Sequence, residues 1–531
     1  MESKVGPCGI FLSSFRRRDG EEVVKRVPES GLRGLVIIVC ILITISVVHP
    51  YPYDNVVTRW ALTRQIVEER TLQIDPYSHL TSDRAFFEGH FYCDKAVLTS
   101  IIAVVPHIVV SAFGSVDSLP GRYVAERIVS GASLILLLCI LARMLTRSGR
   151  PANVPLIALG LGSILLPYST LLYGHVIAAL FLFLCFHFQK EGKFALSDLF
   201  GALAAATEFP VLLPVLILLV YRKREYWSIS RFFRFAGLLF LAMIPQLAHN
   251  WSAFGNPFTV GYSLETVSSF EGMEKGLFGF TVPSLKALYM LTFSPERGLF
   301  FYMPWALPAL IGFFLRKRFL QVLKTDPLPL LIVSYILLFS AYYMPSGGWA
   351  FGPRHLIPVI PFLALGLSSF VSGNGKLRFV AAMLILPAVI QALAGTFGEI
   401  HLPVHPVDNP LPFPQWNISL KMLFDGHHSL WLFGTMGVIV LTAFSLALWL
   451  GTLRKCRFTW LGVTSVLLWL LLSFSADKDT GGRIDYYRGV LAEHREEWIL
   501  AAEYFRVAAE DPSAPPIVGE RAEYCSRRSM E

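Results

Sequence analysis

The chain has 531 residues, 54% of them hydrophobic and only 16% charged, whereas a soluble globular protein runs roughly 45–50% apolar with about 25% charged. That balance, with 41 Phe spread over long apolar runs, argues against a string of water-soluble domains and for one large membrane domain. The formal net charge is +8, but the basic residues are scattered between apolar runs, which reads as Lys/Arg loading of cytoplasmic loops and not as a nucleic-acid interface.

In chain order, segment 1–32 comes first and carries Arg16–Arg18, Lys25 and Arg26 ahead of the apolar run Gly34–Val48. His49-Pro50-Tyr51-Pro52 follows in place of a small-residue cleavage site, so the run reads as an uncleaved first span with its N-terminus in the cytoplasm. A span needs about 20 mostly apolar residues. By that rule the candidates are 33–49, 96–113, 124–145, 153–172, 174–189, 196–221, 234–251, 298–315, 327–343, 355–372, 377–396, 430–450 and 458–475. The pair within 153–189 reads equally as one broken pair. The fold class expected is an all-α polytopic membrane protein, a bundle of about 11–13 transmembrane helices over 33–475.

Basic clusters mark the cytoplasmic ends: Arg143/Arg147/Arg150, Arg222–Arg224 with Arg231 and Arg234, Arg316–Arg318 with Lys324, Lys376/Arg378, and Arg454/Lys455/Arg457. They alternate from residue 150 onward, and Arg143–Arg150 breaks the alternation if 96–113 and 124–145 both cross. Three connections are too long to be tight turns: 50–95, the Gly-rich and aromatic 252–296, and the Pro- and His-rich 397–429. The alternation puts all three on the non-cytoplasmic side, and long structured loops gathered on one face carry function. The seven Cys show no CxxC spacing, and Cys40, Cys139 and Cys185 lie inside apolar runs, as buried small hydrophobes do.

The last segment, 476–531, is polar. Within it Ile484–Ala509 has helical spacing, and Tyr486-x-x-Gly489 with Ala501-x-x-Tyr504-Phe505-x-x-Ala508 resembles one tetratricopeptide unit. A single unit cannot bury its own apolar face, so a helical hairpin docked on a protein partner or on the membrane domain is expected.

The first loop is the richest in chemistry. Val56–Glu69 reads as an amphipathic helix lying flat at the membrane interface, with Val57, Ala61, Leu62, Ile66 and Val67 on one face and Arg59, Thr63, Arg64 and Glu68 elsewhere. Four Asp follow the first span. Asp75-Pro76 is a turn; Asp54 and Asp94 sit at membrane boundaries, where an unpaired carboxylate is costly. Lys95 either pairs with Asp94 or meets a phosphate as a compact point charge.

The string Arg59-Trp60-Ala61-Leu62-Thr63-Arg64, Ile74-Asp75, Thr81-x-Asp83-x-Ala85 and Gly89-His90-x-Tyr92-x-Asp94-Lys95-Ala96 resembles the first loop of bacterial GT-C glycosyltransferases, the superfamily of mannosyltransferases, aminoarabinose transferases and oligosaccharyltransferases. Later segments resemble the same group: Tyr173-Gly174-His175, Thr207-Glu208-Phe209-Pro210, Asn250 to Tyr262, Phe293-Ser294-Pro295-x-Arg297-Gly298, and Gly347-Gly348-Trp349-x-Phe351-Gly352-Pro353-Arg354-His355. The resemblance covers roughly 33–450, and its order and spacing are more specific than any one motif.

The resemblance implies a donor sugar linked to polyprenyl phosphate or diphosphate, and a lipid, glycan or protein acceptor. It implies a catalytic acid in the first loop, Asp54 first and Asp83 second. Asp94, Lys95, Arg297 and Arg354 are the implied donor-phosphate ligands, and Tyr92, His175, Glu208, Trp349 and His355 the implied cavity residues. Relatives often continue the acidic-Lys motif with Pro, where this chain has Ala96. The chemistry suits these residue types: a carboxylate takes the acceptor proton, and cations receive the leaving phosphate.

His401, His405, Asp408, His427 and His428 form no ligand pattern, because Pro403 breaks the helix that His401 and His405 would need. No metal site is assigned, and a divalent cation enters only as a possible cofactor of the phosphate. The alternative reading is a transporter or flippase of a lipid-linked sugar, disfavoured by the absence of an internal repeat. The compartment that suits the motifs is the bacterial inner membrane.

Overall fold

The computed structural model describes residues 29–47, 53–112, 119–221, 229–264, 272–273, 275–315, 319–348, 350–373, 375–397, 485–486, 489, 492–493, 497–510 and 517–530. The described chain is mostly helical. α1 (Glu29–Ser46) leads to α2 (Asp54–Glu68), a 3-10 turn at Asp75–Leu80, and a hairpin of β1 (Ala85–Phe87) and β2 (His90–Tyr92). Then come α3 (Leu98–Ser111), α4 (Leu119–Arg147), α5 (Asn153–Gly160), α6 (Leu165–Tyr168), α7 (Gly174–Lys190), α8 (Phe194–Thr207), α9 (Leu212–Val220) and α10 (Ile229–Phe254). After a 3-10 turn at Gly261–Leu264 follow α11 (Leu285–Thr292), α12 (Leu299–Tyr302), α13 (Ala306–Gly312), α14 (Phe319–Thr325), α15 (Pro327–Ser340), α16 (Ile360–Val371) and α17 (Gly375–Phe397). The tail supplies α18 (Trp498–Ala509) and α19 (Val518–Arg528).

Among the described residues four stretches are helical, long and apolar enough to cross a membrane: Arg127–Arg147, Ile229–Phe254, Arg354–Val371 and Gly375–Thr396. α10 turns Phe232, Phe233, Phe240, Leu241, Ile244 and Trp251 outward, a surface suited to lipid and costly in water. Cys139 is likewise exposed, against the expectation, while Cys40 and Cys185 are buried. One contiguous apolar core runs through the bundle from α1 to α17. Small residues let its helices touch: a Cβ on Gly312 of α13 would stand 2.1 Å from the Gly366 carbonyl oxygen of α16, so the two backbones are in contact there.

Several sequence expectations are corrected. The run 298–315 is two short helices, α12 and α13, with Pro304 between them. The run 196–221 is interrupted at Glu208, where the chain turns extended (φ −143°, ψ 106°) before Phe209-Pro210; Pro210 has no N–H with which to continue the hydrogen-bond ladder of α8. The pair within 153–189 is indeed broken, by the non-helical 161–164 and 169–173. α2 is not a surface helix over most of its length: Asn55 through Thr63 are all buried, and only its C-terminal end, with Glu68, is exposed. The expected spans 430–450 and 458–475 and the loop 397–429, apart from Phe397, lie outside the described residues, as does Trp349.

Candidate active site

Two locally determined pieces of backbone present the first-loop groups. Glu88 and Gly89 both adopt positive φ (49° and 88°), the mirror-image turn that matches strand twist in a two-residue hairpin, and register pairs Ala85 with Tyr92 and Phe87 with His90. The hairpin carries the chain from Asp83 back to Asp94 and Lys95. Asp54 opens α2, where a carboxylate complements the helix dipole. Its Oδ1 accepts the Ser82 N–H at 3.2 Å and its Oδ2 the Ser82 hydroxyl at 2.9 Å, while Thr81 donates to the Asp54 carbonyl at 2.9 Å. Segment 81–84, which has no regular secondary structure, is thus tied to the start of α2 by side chains.

Asp83 is buried and faces Lys95, whose Nζ lies 3.3 Å from its Oδ1. Lys95 also binds the fully buried Asp94 carboxylate and sits 4.7 Å over the Tyr262 ring. A Cβ on Gly261 would come within 2.8 Å of the Asp94 Cα, so that glycine lets the 261–262 turn close on the pair. On the far side, Glu208 at the break between α8 and α9 accepts from Arg59 of α2 (3.4 Å) and lies 3.3 Å from His175 Nδ1 at the start of α7. Here too a glycine makes room, since a Cβ on Gly174 would stand 2.4 Å from Glu208 Oε1.

Arg354 completes the group. Its guanidinium lies 5.6 Å over the Tyr173 ring, and its Nε is buried with no hydrogen-bond partner among the described residues, as is Nε2 of His355. Gly347, at φ +74°, faces both: a Cβ there would meet Arg354 Nε at 3.0 Å and His355 Nε2 at 3.2 Å. The His355 ring stacks on Phe339 (4.7 Å) and meets His175 edge-on at 5.9 Å. Among the described residues no carboxylate lies within ion-pair distance of Arg354, whereas Arg59 has Glu208 and Lys95 has Asp83 and Asp94.

The two first-loop acids are driven apart electrostatically. For Asp83, burial pushes the carboxyl up, but Lys95 and Arg354, with Arg59 behind them, outweigh it and hold the group below the ordinary carboxylate range. For Asp54, burial and the Asp83 charge push its pKa up to about 6, against the Ser82 bonds and Arg521. Asp83 is therefore the ionised acid that faces the cations, and Asp54 the acid that holds Ser82 in place.

Other candidates stand elsewhere. Arg297 is fully buried and spends its guanidinium on backbone carbonyls, of Ser346, Glu296 and Gly348, each at 2.9 Å. It braces the turn that carries Gly347 and presents no fork to a phosphate. Asp94 anchors Lys95, and its negative charge suits that task better than phosphate contact. Tyr92 packs with Ala85, Ala253 and Phe254 in a small separate core. Arg59, Tyr173 and Tyr262 are the site neighbours that carried no sequence assignment; each stands inside one of the motif strings, which was the available signal. Among the described residues no group of three or more His, Cys, Asp or Glu is arranged to hold a metal ion.

No family model matches the chain, and no curated protein does. Among solved structures the chain is similar to ArnT from Cupriavidus metallidurans, in a crystal structure bound to undecaprenyl phosphate, with a TM-score of 0.46 and 10% identity over 94% of this chain and 87% of that one.

Proposed function

We propose that the chain is a membrane glycosyltransferase, moving a sugar from a polyprenyl phosphate- or diphosphate-linked donor to a lipid, glycan or protein acceptor on the non-cytoplasmic face of a bacterial inner membrane. The observation that carries the reading is the Asp83–Lys95 pair, 3.3 Å apart, beside an Arg354 that lacks a carboxylate partner among the described residues. A site with an ionised acid for a hydroxyl and a cation that no carboxylate contacts directly has the two halves that displacement at a phosphate-linked carbon needs.

In this reading the acceptor hydroxyl binds at Asp83, which takes its proton as the oxygen forms a bond to the anomeric carbon. The carbon–oxygen bond to phosphate breaks, and the phosphate oxygen leaves with the electron pair. Arg354 meets that oxygen, and its planar fork suits phosphate. Lys95, released in part as Asp83 is protonated, turns toward the same charge. Arg59 and Glu208 fix the far wall with His175, and Asp54 positions Ser82 and hence Asp83. One base suffices for such an inverting displacement.

Asp83→Asn and Asp54→Asn, made separately in purified protein given a polyprenyl phosphate-linked labelled sugar and a membrane-lipid acceptor fraction, test the assignment. Asp83→Asn should abolish transfer and Asp54→Asn should weaken it. If neither lowers transfer, the catalytic assignment is wrong.

A further inference from the structure

The C-terminal hairpin lies against the first loop, although more than four hundred residues of chain separate them. α19 packs on the 3-10 turn Asp75–Leu80. The Tyr524 ring stacks on His79, with centroids 3.9 Å apart and planes 19° apart. Arg84, nearly inaccessible, places one end of its guanidinium on the Ser78 carbonyl and the other on the Glu520 carboxylate, with its face 4.5 Å over Phe91. The hairpin is itself pinned internally by buried Arg521, which binds Glu493 (3.1 Å) and the Tyr486 hydroxyl (3.2 Å) and lies 4.7 Å over Phe505.

These contacts bracket the segment that bears Asp83. On one side Asp54 holds Ser82; on the other Glu520 holds Arg84 and Tyr524 holds His79. The backbone between has little order of its own: Arg84 N–H donates to Ser82 at 3.0 Å and Thr81 N–H to Ser78 at a long 3.4 Å. A stretch with so few backbone bonds keeps its shape only through its side-chain ties, and loosening one side raises its local opening. Arg521 of the hairpin is also close enough to favour the ionised form of Asp54.

We propose that the C-terminal hairpin is a clamp on segment 78–84, and that Glu520 and Tyr524 are positioning residues that set Asp83 against Lys95. The positioning role rests on the transferase reading above; the clamp does not. Glu520 is more than half exposed, so replacing it leaves the hairpin core intact.

The test uses the full-length protein in detergent or nanodiscs with Glu520→Ala, Tyr524→Ala and Tyr524→Phe, and Arg506→Ala on the hairpin's outer surface as control. Backbone hydrogen exchange over 78–84 should quicken in the two Ala variants but not in Tyr524→Phe, which keeps the stacking ring, nor in Arg506→Ala. Transfer should lose kcat on the order of tenfold in the same two variants with donor KM unchanged, as a misplaced rather than missing group does. Unchanged exchange in both Ala variants overturns the clamp. Faster exchange with undiminished transfer overturns the positioning role. If the wild-type protein transfers no sugar, the transferase reading falls and takes the positioning role with it, while faster exchange in the Ala variants still upholds the clamp.

Discussion

Arg354→Ala separates binding from folding more cleanly than any other change in the site. Most buried charges here are paired, and removing one partner strands the other at a cost of about 3–5 kcal/mol. Arg354 has no carboxylate within ion-pair distance among the described residues, and what it gives up is the 5.6 Å approach to the Tyr173 face and its longer-range attraction to the Asp83 carboxylate. A cation–π contact is worth about 0.5–2 kcal/mol, and the removal of a desolvated charge offsets part of that. Thermal stability should therefore fall by less than the about 3–5 kcal/mol that breaking a direct buried ion pair costs. A charge-assisted bond to phosphate is worth about 1.5–3 kcal/mol, which at about 1.4 kcal/mol per tenfold is roughly 10- to 150-fold in kcat/KM for donor. Arg354→Lys, which keeps the charge and loses the fork, should fall between. The assay is transfer of labelled sugar at varied donor concentration, with thermal unfolding measured on the same preparations. Retention of transfer within about twofold in a folded Arg354→Ala protein would refute the assignment of phosphate to this residue.

Lys95→Met strands Asp83 and Asp94 together, so it should destabilise by about 3–5 kcal/mol, read as a fall in melting temperature, and should abolish transfer as well. Gly174→Ala brings a methyl to within 2.4 Å of Glu208 Oε1; the carboxylate must shift away from Arg59 and His175, and transfer should drop with little change in expression. Because the folded-state pKa of Asp54 is raised to about 6, the folded protein binds more protons there than the unfolded chain between the ordinary carboxylate range and pH 6. Asp54's contribution to stability is therefore fully present at lower pH and is lost as pH rises through about 6. Asp83→Asn removes a charge that raises Asp54, so the same loss should move to lower pH, measurable by thermal unfolding across pH 4–7. Finally, if Arg354 and Lys95 carry the phosphate charge, transfer should persist in a chelator; loss on chelation and recovery with a divalent cation would assign that charge to a metal instead.

The sequence made the membrane class legible through composition, and the first loop through acids placed at apolar boundaries. The first-loop pair Asp83 and Lys95 meets Glu208, His175 and Arg354 from distant parts of the chain; Lys95, Glu208 and Arg354 stood out as charges within or beside apolar runs, where burial is costly without a task, whereas Asp83 and His175 were legible only through the motif strings. Arg59 escaped notice because helical spacing sorts residues by polarity alone. On α2 Arg59 and Thr63 of the polar face are buried too, and only tertiary packing reveals that. Arg297 was misleading for a related reason: an arginine beside a glycine at a span edge looks the same whether it awaits a phosphate or already holds three carbonyls. The helical tail was legible from its spacing, but its docking on His79 and Arg84 was not, since nothing local to either segment encodes a contact across the length of the chain.

The central claim is that Asp83 and the cations around it cleave a phosphate-linked sugar from its lipid. The direct measurement is the fate of a doubly labelled polyprenyl phosphate-linked sugar in vesicles containing the purified protein and an acceptor lipid fraction. Sugar label should move to the acceptor with one polyprenyl phosphate released per transfer, and Asp83→Asn should abolish both. Movement of the intact labelled donor across the vesicle membrane, with no cleavage and no dependence on Asp83, would contradict the account and identify a carrier of the lipid-linked sugar.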